Sequence, residues 1–92
     1  MNTEQRDFRV AVQAPPPANQ ERCFWLPAAG AALLATVHAS GATLVALDSF
    51  TDEDGALIIM DVRTTDPTPF QQQAHTLASL AGGGAPWKVT ER

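Results

Sequence analysis

ATLVALDSFTDEDGALIIMDV, residues 42–62, carries the pattern on which the predicted fold depends. Its two ends are rich in β-branched and apolar residues, and the polar TDEDG between them ends in Asp54-Gly55, the strongest hairpin signal in the chain. We therefore predict two antiparallel strands, at 42–50 and 56–62, joined by a turn. The second of them is almost wholly apolar, which predicts a central strand covered on at least one face.

A strand and a helix are predicted before this hairpin. Apolar residues alternate with polar ones in DFRVAVQA (7–14), as they do in a strand with one buried face. An apolar stripe at helical spacing predicts a helix over about 28–40. Pro27 suits the first helical position, because its missing N–H needs no partner there, and Gly41 suits the position just after the last turn.

A second helix and a last strand are predicted after the hairpin. Thr68 is a good N-cap, Pro69 fits the first helical position, and Gln71 completes a Thr-x-x-Gln capping box. The three glycines at 82–84 end this helix. APWKVTE (85–91) then reads as a short final strand.

The predicted order is therefore β-α-β-β-α-β. Two β-α-β halves joined by a hairpin predict an α+β fold of the ferredoxin-like type, a four-stranded antiparallel sheet in the order 4-1-3-2 with both helices on one face. The 92 residues form one domain, 1–92. We expect residues 1–6 to be a flexible N-terminus and residues 15–26 to be a long proline-rich loop.

Composition and charge exclude several classes of function. A net charge of −4 with only 6 basic residues disfavours nucleic acid as a partner, since phosphates must be neutralised by Lys and Arg. A single cysteine and an N-terminus without a signal peptide's apolar core lead us to expect a cytoplasmic protein. Residues 24–47 carry no formal charge, but their pattern changes from helix to strand at Gly41, which favours a helix and a buried strand over a membrane span.

From Pro27 the sequence runs PAAGAALLATVHASGATLVALDSFTDEDGALIIMDV. This resembles an ACT-type regulatory domain, with a proline and glycine helix start, a helix, a glycine, a strand, and a hairpin into a hydrophobic strand. The likeness covers roughly residues 8–12 and 27–90. It implies that the chain binds an amino acid or related small metabolite at a subunit interface, near the start of the first helix. The matching positions are Pro27, Gly30 and Leu33, with the turn around Gly41.

Two further groups of residues are candidates for binding. Cys23, Phe24 and Trp25 lie together on the predicted loop, where the aromatic side chains would either fold back over the core or stay exposed as anchors for a partner. Asp52 and Asp54 belong to the acidic hairpin turn, which offers a charged patch.

No motif in the sequence predicts catalysis or a metal. The acidic turn lacks the first ligand of a calcium loop and has no flanking helices. His38 and His75 do not belong to a cluster with zinc spacing, and nothing around Cys23 resembles a cysteine hydrolase. The glycines at 82–84 follow a helix, so no helix N-terminus faces them as in a phosphate loop. We expect no cofactor and no enzymatic activity.

Two functions remain open from the sequence. The first is a small regulatory or ligand-binding module, ACT-like, forming a homodimer through sheet edges or helices. The second is a stand-alone inhibitor or adaptor that docks on a larger protein complex, as a phage-encoded inhibitor of a bacterial defence system does. The resemblance favours the first. That the chain stands alone favours the second, because ACT domains usually come attached to the enzyme that they regulate.

Overall fold

The computed structural model describes residues 4–14, 25–52, 55–82 and 86–92, and within them six elements follow one another in the predicted order. Strand and helix alternate as β-α-β-β-α-β. The elements are β1 (Arg6–Ala14), α1 (Trp25–Ser40), β2 (Thr43–Asp52), β3 (Gly55–Thr64), α2 (Thr68–Gly82) and β4 (Trp87–Glu91).

The strands form an antiparallel sheet in the order β2-β3-β1-β4. Read from the other edge, this is the predicted order 4-1-3-2, and the predicted α+β ferredoxin-like fold is confirmed. β3, the most apolar strand, lies in the interior of the sheet, where Val10 of β1 stands opposite Met60. β2 and β4 are the edges.

Both helices cover one face of the sheet, and the core lies between them. The alternating apolar residues of β1 and β3 point toward the helices, and each helix buries one stripe against them. The fully or nearly buried apolar residues of the strands are Phe8, Val10, Val12, Ile58, Met60 and Val62. Those of the helices are Ala29, Leu33, Val37, Phe70, Ala74, Leu77, Ala78 and Ala81.

α1 begins at Trp25, so the prediction of a loop over 15–26 is wrong for its last two residues, and residues 15–24 lie outside the described part of the chain. Pro27 is tolerated at the third helical position because the first four N–H groups of a helix have no partner within it. Gly41 ends α1 as predicted. Its φ is +71°, and the N–H of Ala42 donates to the Val37 carbonyl oxygen at 3.2 Å, which closes a Schellman-type cap.

α2 begins at Thr68, but the predicted capping box is wrong. The Asp66 carboxylate accepts a hydrogen bond from the Thr68 N–H at 3.0 Å, and the Pro67 carbonyl oxygen accepts one from the Gln71 N–H at 3.0 Å. The Asp66 carboxylate therefore accepts from the Thr68 N–H in place of the Gln71 side chain, and the Pro67 carbonyl oxygen accepts from the Gln71 N–H in place of the Thr68 hydroxyl. Hydrogen bonds from the Thr68 backbone N–H and from the Thr68 side chain lower the pKa of Asp66.

The hairpin strands are longer than predicted. Asp52 pairs with Gly55, so the strands extend into the predicted turn TDEDG from both sides, and residues 53–54 lie outside the described part of the chain. The register shifts between Leu44 and Ala46, leaving Val45 as a β-bulge in the edge strand. Among the described helices, none is long and apolar enough to cross a membrane.

Candidate functional site

A cleft of about 370 Å³ opens between the start of α1 and the edge strand β2. It exists because the side chains that face each other there are small: Gly30 on the helix has no Cβ, and Ser49 on the strand carries a single hydroxyl. Its lining residues are Leu26, Pro27, Gly30, Leu47, Ser49 and Ile58.

Gly30 controls the width of this cleft. A methyl group built on Gly30 would lie 3.6 Å from Cδ1 of Ile58, an ordinary van der Waals distance. An alanine would therefore fit without displacing its neighbours, and a longer side chain would extend into the cleft. The walls are apolar apart from the Ser49 hydroxyl, so the site suits a small, largely apolar molecule with a hydrogen-bonding group.

The structure brings together only part of the set predicted from the sequence. Pro27 and Gly30 both line the cleft. Leu33, nearly one turn further along α1, is fully buried in the core. Gly41 lies at the far end of the helix, where it ends α1.

Trp25 ties the two helices together. Its side chain is partly buried against the core, and its indole Nε1–H donates to the Leu77 carbonyl oxygen of α2 at 3.0 Å. Cys23 and Phe24 lie outside the described residues. Asp52 is the last residue of β2, while its side chain, like the whole of Asp54, is outside the described part.

A second, wider cleft of about 610 Å³ runs between the helices. Small and polar side chains line it: Ala32, Ala35, Thr36, Ala39, Ser40, Pro69, Gln72, Gln73 and Thr76. Three of its hydroxyls already donate to carbonyl oxygens one turn back in their own helices, at 2.7 to 3.0 Å. Those hydroxyl donors are therefore used, and the other polar side chains of the second cleft are the amides of Gln72 and Gln73.

A buried carboxylate on the other face of the sheet was missed in the sequence analysis. Asp61 of β3 is 8% exposed and accepts hydrogen bonds from Arg9 Nε at 2.9 Å, Arg9 Nη2 at 3.2 Å and Arg92 Nη1 at 2.9 Å. The hydrogen bonds from Arg9, opposed in part by burial, lower the pKa of Asp61. The signal in the sequence was a single acidic residue in an otherwise apolar predicted strand, because a buried carboxylate needs a cationic partner.

The histidines do not lie in the cleft. His38 is exposed in the last turn of α1. The ring of His75 on α2 packs edge-on against Trp87, with the ring centroids 6.1 Å apart and an interplanar angle of 70°. Within the described ranges, no three His, Cys, Asp or Glu side chains come together as a metal site would require.

The sequence matches no protein-family model and no curated protein. Several solved structures are similar to this chain, among them two with TM-scores of 0.68 and 0.66. One is the solution structure of the C-terminal domain of the MgtC protein from Mycobacterium tuberculosis, with a TM-score of 0.68 and 12% identity over 100% of this chain and 93% of that one. The other is the crystal structure of formyltetrahydrofolate deformylase from Burkholderia mallei, with a TM-score of 0.66 and 12% identity over 94% of this chain and 28% of that one. At this identity the likeness shows the fold alone.

Proposed function

We propose that this chain is a small, non-enzymatic ligand-binding module of the ACT-like kind, and that its ligand occupies the cleft between α1 and β2. The observation that carries the proposal is the cleft itself, about 370 Å³ of space beside the one helical glycine among its lining residues. Sites for small molecules are concave, mostly apolar and supplied with a few polar groups, and this cleft has those properties.

The position of the cleft supports an ACT-like function. The resemblance placed an amino-acid site at the start of the first helix, and Pro27 and Gly30, two of the residues it implied, line the cleft. The cleft also borders β2, an edge of the sheet, so a second subunit packed along that edge would close it. An amino acid with an apolar side chain is the ligand class that we propose.

The lining of the cleft supports a binding role over a catalytic one. Leucine, proline, glycine, serine and isoleucine form its walls, and none of these side chains titrates near neutral pH. A general acid or base would have to come from outside the lining residues. The Ser49 hydroxyl is suited to orienting a bound polar group.

The test is a thermal-shift measurement with the twenty standard amino acids at millimolar concentration. A ligand that binds only the folded state stabilises it by RT ln(1 + [L]/Kd) and therefore raises the melting temperature. We expect at least one apolar amino acid to raise the melting temperature of the wild-type protein, and Gly30→Leu, which fills the cleft, to abolish that response.

Ala31→Leu is the matched control. It introduces the same side chain one position along α1, where the residue is exposed and does not line the cleft. This variant should keep the wild-type response. If no amino acid shifts the melting temperature, or if Gly30→Leu responds as the wild type does, the cleft is not the site and the proposal fails.

A second candidate function, an inhibitor or adaptor that docks on a larger protein, is favoured by β2. This edge strand is ten residues long and exposes Leu44 (40%), Val45 (50%) and Phe50 (55%). An edge with apolar side chains is suited to pairing with another chain. The test is whether the tagged protein captures a stoichiometric partner. Val45→Lys should abolish the capture of that partner. Leu80→Lys is the control and should retain it, because it makes the same kind of change at a 73% exposed residue of α2.

A further inference from the structure

The face of the sheet opposite the helices is not covered by any element that the structure describes. In an antiparallel sheet such a face is ordinarily polar. Here its centre is apolar: Leu57 and Ile59 of β3 are half-buried, and Phe50 beside Leu57 is 55% exposed. We call this surface the open face.

Residues paired across neighbouring strands lie on the same side of the sheet, so the register orders the open face into rows. The central row runs Asp48, Ile59, Ala11, Lys88 from the β2 edge to the β4 edge. An acid therefore stands at one end of this row and a base at the other, with apolar residues between them.

The two rows beyond the central row, toward Arg6, also pair acids with bases. In the first, Asp61 of β3 stands beside Arg9 of β1, and in the second Arg63 of β3 stands beside Asp7 of β1, with an Nε–Oδ1 distance of 2.9 Å. In each of these rows the acid and the base lie on neighbouring strands, at equal distances from the line midway between β3 and β1.

This charge order is self-complementary, and we infer that the open face binds a second copy of this chain about a two-fold axis parallel to the strands. Such an axis, placed between β3 and β1, brings each row against the same row of the second copy, with the two rows running in opposite directions. Asp48 then faces Lys88 of the second copy, and Lys88 faces its Asp48. Ile59 covers Ala11 of the second copy in the same way.

The alternative two-fold axis, running across the strands, is disfavoured by the same residues. Placed through the central row, it lays Asp61 on Leu57 of the second copy and Arg9 on Gln13. It also sets Asp48 against Asp48 of the second copy and Lys88 against Lys88, so like charges would face each other. Charge complementarity therefore selects one axis as well as one occupant.

The pairing of Asp48 with Lys88 tolerates the usual rotation between packed sheets. Each residue lies one and a half strand spacings from the proposed axis, about 7 Å at the usual spacing between strands. A rotation of about 30° between the sheets displaces residues at that radius by about 4 Å. The flexible stem of a lysine can reach across that displacement.

The test is a charge swap read out as molecular mass by light scattering during size-exclusion chromatography. The wild-type chain, 9.8 kDa as a monomer, should elute as a dimer of about twice that mass, and added salt should weaken it. Asp48→Lys alone and Lys88→Asp alone each place like charges opposite each other twice, so each should be monomeric at the same concentration.

Mixing the two single variants provides the decisive arm. In a heterodimer of Asp48→Lys with Lys88→Asp, both facing pairs again have opposite charges, so the mixture should regain the dimer mass. The double variant should dimerise by itself for the same reason. Both positions are exposed, so folding should not change, which circular dichroism would verify.

Three results would overturn the inference. They are a wild-type monomer throughout the accessible concentrations, a dimer indifferent to both single swaps, and a mixture of the single variants that stays monomeric. A dimer lost on Val45→Lys and not on either swap would place the contact at the β2 edge instead. The response to amino acids is a separate readout, because the cleft at Gly30 lies on the helix side of the sheet.

Discussion

The indole Nε1–H of Trp25 donates a hydrogen bond to the carbonyl oxygen of Leu77 at 3.0 Å, across 52 positions of the chain. The first residue of α1 is thereby held against the middle of α2, and its ring packs on the core below. This contact makes Trp25 part of the junction between the two helices.

We predict that Trp25→Phe lowers the free energy of unfolding by about 0.5–1.5 kcal/mol, the usual net worth of one hydrogen bond. Phenylalanine keeps most of the apolar contact and loses the N–H donor. Urea denaturation measures the change. Trp87→Phe, at a 38% exposed position on the β4 edge, should cost less, and an equal cost for the two would show that the hydrogen bond to Leu77 does not matter.

Gly30→Ala should stabilise the protein by about 0.5–1 kcal/mol, because alanine loses less backbone entropy than glycine in a helix interior. The added methyl group meets Cδ1 of Ile58 at 3.6 Å, so no clash offsets the gain. Thermal denaturation followed by circular dichroism measures it. A lower melting temperature for Gly30→Ala would contradict the geometry of the cleft.

Gly41→Ala should have the opposite effect. The φ of Gly41 is +71°, and no atom lies within 4 Å of the place where a Cβ would stand, so the cost is purely one of backbone conformation. We expect a loss of about 1–2 kcal/mol. Gly41→Asn should lose less, because asparagine tolerates the left-handed region better than alanine does. Urea denaturation of the three proteins would show that order, and equal losses for alanine and asparagine would count against it.

Asp61→Asn should destabilise the protein in a pH-dependent way. Hydrogen bonds from Arg9 hold the folded-state pKa of Asp61 below its usual value, so its stabilisation is fully present above the unfolded pKa of about 3.9 and is lost as pH falls through the folded pKa. At pH 7 we expect the free energy of unfolding to fall by about 1–2 kcal/mol. The loss is no larger because the two arginines are 45% and 47% exposed and are solvated by water when the carboxylate is removed.

The difference in free energy of unfolding between the wild type and Asp61→Asn should become smaller as the pH falls below about 4. Chemical denaturation at a series of pH values measures it. The control is Asp7→Asn, on the same face, whose ion pair with Arg63 is about half exposed on both sides and should be worth less than about 1 kcal/mol. A deficit for Asp61→Asn that stays constant to pH 3 would mean that the carboxylate charge is not the cause.

Much of the fold could be predicted from local patterns. The alternation in β1, the apolar run of β3 and the helical stripes each depend on neighbours a few positions apart, and they are visible in the sequence. The ends of elements were harder to predict. The Asp66 carboxylate accepts from the Thr68 N–H in place of the predicted Gln71 side chain, and the hairpin strands extend to Asp52 and Gly55. Both features depend on backbone geometry that several nearby residues could have supplied.

The candidate site could be predicted only in part. Pro27 and Gly30 were singled out through the resemblance, whereas Ser49 and Ile58, which complete the cleft, carry no local signal. Leu33 fitted the same motif, yet its helical phase directs it into the core. The position of a residue in a motif does not show on which side of the helix its side chain lies.

The order of the strands and helices, the apolar faces and the glycine that ends α1 were readable from residues close together in the chain, because period and steric preference act locally. The cleft at Gly30, the Asp61 carboxylate between Arg9 and Arg92, and the rows of charge on the open face exist only in the folded chain. Each depends on the register between strands distant in sequence. A shift of one residue would turn every side chain of a strand to the opposite face, and that register is set by packing of the whole sheet.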